Sequence, residues 1–141
     1  MKKLILLLSQ FAFTAINAQT KTGDILGTYM NQEGEAIIKI YESAGKYHGK
    51  LVWMKKPEKL DEHNPDKTKQ SQKLLGKTIM NNFEFDDDMW EDGTIYDPKN
   101  GKTYDCKVTR DAKGNLEIRG FIGISLLGRT SHWTKVDFKE K

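Results

Sequence analysis

The chain has 141 residues, 37% of them hydrophobic and 30% charged, and its 23 basic side chains nearly offset 20 acidic ones for a net charge of +3. That length suits a single domain with one core. So even a charge balance supplies no electrostatic basis for gripping nucleic acid or an anionic membrane.

The first 18 residues stand apart from the rest. Met1-Lys2-Lys3 is a short positive start, Leu4 to Ile16 is almost wholly apolar, and Ile16-Asn17-Ala18 ends on a small residue before Gln19. This is the layout of a secretory signal peptide, and its apolar run is too short to span a bilayer. The expected organisation is therefore a signal peptide over 1–18 and one domain over 19–141. Losing Lys2 and Lys3 leaves that domain a net charge of +1. Cys106 has no cysteine partner in the chain and does not follow the signal directly, so neither an internal disulfide nor a lipid anchor is expected. Release into the periplasm or the exterior follows as the expected localisation.

From residue 19 onward the leading pattern is period-two alternation in short runs divided by turn residues, the mark of strands with one buried face. Ile25 to Met30 is the first run. In Ala36 to Glu42, Ala36, Ile38 and Ile40 alternate with Ile37, Lys39 and Tyr41. A turn at Ser43-Ala44-Gly45-Lys46 leads into Tyr47 to Met54, with Tyr47, Gly49, Leu51 and Trp53 on one face. Lys55 to Lys77 is too long for a hairpin, and loops of that length usually carry structure of their own. Asp66 is placed to cap a short helix running to Leu75, with Gly76 as its left-handed stop.

Ile79 to Phe85 and Trp90 to Tyr96 are the next strands, followed by the turn Asp97-Pro98-Lys99-Asn100-Gly101. Lys102 to Thr109 alternates cleanly, with Tyr104, Cys106 and Val108 inward. Asp111 to Gly114 turns the chain into Leu116 to Gly120, and Arg129 to Val136 is the eighth strand. Eight short strands joined mainly by tight turns predict an all-β, antiparallel, up-and-down barrel, because closure removes the exposed edges. Five-stranded partly open barrels and sandwiches are the competing architectures.

The segment Phe121 to Gly128 fits neither a strand nor a helical period. Leaving Ile122, Ile124, Leu126 and Leu127 in water would forfeit roughly 1.5–3 kcal/mol for each side chain able to bury fully. Docking on the barrel end near Trp133 or Trp53 is expected, as a plug or as a lid. Arg129 would stand at its hinge, holding a backbone carbonyl or the ring of Tyr29.

Little in the sequence points to catalysis or to a cofactor. His48, His63 and His132 lack ligand spacing, and zinc needs about four converging ligands. Asp86-Asp87-Asp88 lacks the glycine and the distal glutamate of a calcium loop, and reads as a solvated hairpin tip. No Gly-x-Ser-x-Gly and no phosphate-cradling glycine loop is present. Cys106, on an inward face, reads as a small buried residue. Aromatic residues occur on almost every strand, and a small barrel either fills itself with such side chains or holds one small ligand. The candidate ligand-binding set is Tyr29, Trp53, Tyr104, Ile124, Leu126, Arg129 and Trp133.

Three strings resemble a known family: Asp92-Gly93-Thr94-Ile95-Tyr96-Asp97-Pro98, Gly101-Lys102-Thr103-Tyr104-Asp105-Cys106, and Arg119 through Thr130. Gly27-Thr28-Tyr29, Gly49-Lys50-Leu51-Val52-Trp53 and Asn64-Pro65-Asp66 fit as well. Together they resemble the exported bacterial family known as domain of unknown function 2147, over about Asp24 to Val136. The resemblance implies a small lipocalin-like barrel of the Gram-negative periplasm or exterior, and it implies no activity. The broader lipocalin pattern has Gly-x-Trp on the first strand and a late arginine packed across it; here Tyr29 replaces the tryptophan and Arg129 is the candidate arginine. Where the resemblance implies arginines after Asn-Pro-Asp, this chain departs from the pattern with Gln70-Ser71-Gln72.

The leading functional expectation is a carrier or binder of a small apolar molecule held inside the barrel. The alternative is a protein-interaction or envelope-stress module with a filled barrel and no ligand, and an enzyme comes third. An apolar cavity with a few polar groups would favour the first, a packed interior with an exposed apolar patch the second.

Overall fold

The computed structural model describes residues 19–141; the proposed signal peptide lies outside them. Eight strands run in chain order: β1 Gly27–Met30, β2 Ala36–Ser43, β3 Lys46–Met54, β4 Thr78–Asp86, β5 Met89–Asp97, β6 Lys102–Arg110, β7 Leu116–Phe121 and β8 Arg129–Val136. Each pairs antiparallel with the next, and β8 returns to β1 through Thr28↔Val136 and Met30↔Thr134, closing the barrel. The up-and-down eight-stranded architecture thus stands as the alternation predicts.

Three local expectations need correction. The chain does not enter its first strand at Ile25. Thr22–Ile25 is a 3-10 turn, drawn tight where Lys21 N–H donates to the Asp24 carboxylate at 2.9 Å. No helix runs to Leu75 either. Asp66 does cap, accepting from Thr68 N–H at 3.0 Å, but the turn covers only Lys67–Lys69. Gly76 supplies its left-handed residue (φ +90°) to a separate bend.

The third correction concerns Trp53. Ile38 pairs with Leu51 but Ile37 pairs with Trp53, so β3 carries one extra residue, Val52. Such a bulge shifts the inward face by one position. Beyond it Met54 faces the interior opposite Ala36, and Trp53 lies on the outer wall beside Val52, Leu75 and Phe138.

In a meander, alternate connections gather at opposite ends. The tight β2–β3, β4–β5 and β6–β7 turns meet at one end, which the chain leading into β1 plugs. Ile25 is buried there, Tyr29 Oη donates to its carbonyl at 2.8 Å, and Trp90 Nε1–H donates to Thr22 O at 3.0 Å. Trp90, Tyr29, Phe83, Val108 and Leu116 are all essentially inaccessible, so side chains fill the core on this side. The acidic triplet is the β4–β5 turn, with Asp87 and Asp88 both in the left-handed region (φ 49° and 63°), as two-residue hairpins require.

Candidate functional site

The other end carries the β1–β2 turn, the long β3–β4 loop, the β5–β6 turn and the β7–β8 loop, and there the barrel is not filled. A cavity of about 590 Å³ opens between these connections. Its wall is apolar, built from alternate residues of the strands: Ile38, Leu51, Met54, Ile79, Ile95 and Ile118, with Trp133 from β8 and Leu74 from the long loop. Its rim is polar. Glu33 and Glu35 come from the β1–β2 turn, Lys59 from the long loop, Asp97 and Lys99 from the β5–β6 turn, and Arg129 from the head of β8. Tyr104 Oη accepts from Asn100 Nδ2 at 2.8 Å between wall and rim.

The long loop is held against this end by one buried carboxylate. Asp61, 1% exposed, accepts from Tyr96 Oη at 2.6 Å and from Asn64 Nδ2 at 2.7 Å, and pairs with Lys77 Nζ at 3.1 Å. Lys77 also stands over the Tyr96 ring, 5.2 Å from its centroid. Burial alone would raise the Asp61 pKa. The hydrogen bonds from Asn64, Tyr96 and Lys77, with the lysine charge, outweigh it and hold the carboxyl below its ordinary value of 3.8. Tyr96 moves the other way, up to about 12, through burial and then through the anion it donates to.

Of the seven residues that the sequence nominates, the structure brings Tyr104, Arg129 and Trp133 together on the cavity lining. Tyr29 is a buried core residue whose hydroxyl is occupied by Ile25; burial lifts its pKa to about 12. Trp53 is on the outer wall. Ile124 and Leu126 are 57% and 84% exposed, so the docking expected of this segment does not occur. Only Ile122 and Leu127 of its four large aliphatics border the mouth, and they too are mostly in water.

The arginine roles also change hands. Arg119, not Arg129, holds the loop, donating to Ser125 O at 2.8 Å, Leu126 O at 3.3 Å and Thr130 Oγ1 at 3.0 Å. Arg110, not Arg129, is the cation whose charge bears on Tyr29. The sequence hint for Arg119 was only its place, directly before a segment whose carbonyls needed donors. The three histidines are dispersed: His48 stacks on Tyr41, His63 lies in the long loop, and His132 stands beside Glu117 on the outer face.

A family model described as "uncharacterized protein conserved in bacteria (DUF2147)" matches residues 27–135. The chain belongs to that family. This DUF2147 barrel is also similar in structure to protein HP1028 of Helicobacter pylori, described as a lipocalin, with a TM-score of 0.73 and 21% identity over 80% of this chain and 83% of that one. At that identity the likeness establishes the lipocalin fold. No match was found among curated proteins. The matched span takes in β1 to β7, β8 up to Lys135, and all four connections at the open end.

Proposed function

We propose that this protein is an exported carrier that takes one small apolar molecule, or the apolar part of an amphiphile, into the open end of its barrel. The observation that carries the reading is the cavity of about 590 Å³ with an aliphatic wall and a charged rim. Small-molecule sites span roughly 300–1,000 Å³ and combine an apolar lining with a few polar groups. A barrel filled by its own side chains, as the alternative reading needs, would leave no such space. A binding role rather than catalysis also suits the family and the fold.

The test is to fill the cavity. Ala36, 7% exposed, lines it from β2. Ala36→Phe should place a ring in the space and abolish the emission gain of an apolar fluorescent probe. A Glu33→Gln change at the rim should leave that gain largely intact. If wild-type protein binds no apolar probe, or if Ala36→Phe folds and binds as before, the carrier reading fails.

Export rests on residues 1–18. Intact-mass measurement on protein from the producing cells should show Gln19 as the first residue, and a full-length product would refute export.

A further inference from the structure

The β7–β8 loop presents a surface that the carrier reading does not use. Leu126 is 84% exposed, Leu127 78%, Ile122 66% and Ile124 57%. Their exposure is built into the backbone. Arg119 clamps the carbonyls of Ser125 and Leu126, Leu127 N–H donates to Ile124 O at 3.2 Å, and a side chain at Gly128 would collide with Gly120 O. Held from the strand side, the loop turns its four aliphatic side chains outward as a knob. Residues 120–128 contain no charge, and the knob stands at the cavity mouth, which Ile122 and Leu127 border.

We propose that this knob inserts into the surface of a zwitterionic phospholipid bilayer, seating the barrel with its open end toward the lipid. Area argues against a protein partner. Four aliphatic side chains at about 100 Å² each offer roughly 400 Å², half of the ~800 Å² that each side of a stable protein interface contributes. The surrounding rim is mostly charged, and Pro98 and Phe121, both partly buried, add little apolar area to it. A bilayer interface accepts isolated aliphatic groups without a shaped counterpart. Charge then selects the lipid: Glu33, Glu35 and Asp97 face Lys59, Lys99 and Arg129 around the mouth, three of each sign. Such a rim matches headgroups that carry both charges and has no net attraction to an anionic leaflet. The docking needs no ligand in the cavity.

Flotation of the purified protein with phosphatidylcholine vesicles tests this. Wild-type protein should rise with the vesicles, and its partitioning should change less than about threefold on raising the salt, because exposed charges dominate only attachments that salt can screen. Leu126→Ser/Leu127→Ser should weaken partitioning by about tenfold or more for each leucine lost, with the melting temperature unchanged because both side chains are exposed. Ala36→Phe should float like wild type, which separates this inference from the carrier reading. The proposal is overturned if wild-type protein stays with the lipid-free fraction, or if the double variant floats equally well. It is also overturned if binding occurs only on anionic vesicles and disappears in salt. Self-association abolished by the double variant, without vesicle binding, would assign the knob to a second copy of the chain.

Discussion

Cys106 shows how one side chain is governed by its neighbours across the sheet. In register it faces Gly93 on β5 and Gly120 on β7, and the Phe83 ring lies directly over Gly93, where any Cβ would strike it. The residue is 1% exposed, and its thiol makes only a long contact to Lys107 O at 3.8 Å. Burial pushes the thiol up to about 12, so almost no thiolate, the reactive form, exists near neutral pH. A thiol reagent should therefore modify native protein no faster than the barrel opens, as mass spectrometry would record. Cys106→Ala should lower stability in denaturant melts by about 1 kcal/mol or somewhat more, with apolar-probe binding retained. Rapid labelling of the folded protein would contradict a buried structural role.

At the scale of elements, what the sequence made legible is what local chemistry decides. Alternation marked the eight strands, Ser43 to Lys46 and Asp97 to Gly101 marked turns through their glycines and proline, and the acidic Asp86-Asp87-Asp88 marked a solvated hairpin tip. What escaped is decided between elements. The Val52 bulge exists only in the pairing of β2 with β3, so a strict two-residue period carried Trp53 to the wrong face. The aliphatic wall of the cavity was invisible for a related reason: Met54, Ile79 and Ile95 read like any core residues, and a cavity is a failure of side chains to meet. Tyr104 and Trp133 were found because inward aromatics on alternating strands are conspicuous, whereas no local pattern sets Asp61 apart from the other acids of the long loop. The β7–β8 loop was misjudged because burial was inferred from composition alone, while Arg119 fixes the backbone the other way.

For the molecule as a whole, the two barrel ends divide the work. One is packed with aromatics and plugged by Thr22–Ile25; the other trades packing for a cavity and is held in shape by the β3–β4 loop. That loop bonds to the barrel through Asp61 and packs His63 O so tightly on Gly101 that no side chain fits there. Asp61 titrates below 3.8 in the folded chain and near that value when unfolded, so its anion stabilises the fold above the ordinary carboxylate range. The sign follows directly: the contribution is complete near neutral pH and is lost as pH falls through that range and below it, when the unfolded chain takes up the proton first. Asp61→Asn should cost about 2–4 kcal/mol near neutral pH, because Lys77 loses its counter-charge and Tyr96 its anionic acceptor. Denaturant melts of both proteins should show that gap holding down to about pH 5 and narrowing below about pH 4. A gap that stays constant across that range would mean that Asp61 acts through packing, and that the loop is not held by its charge.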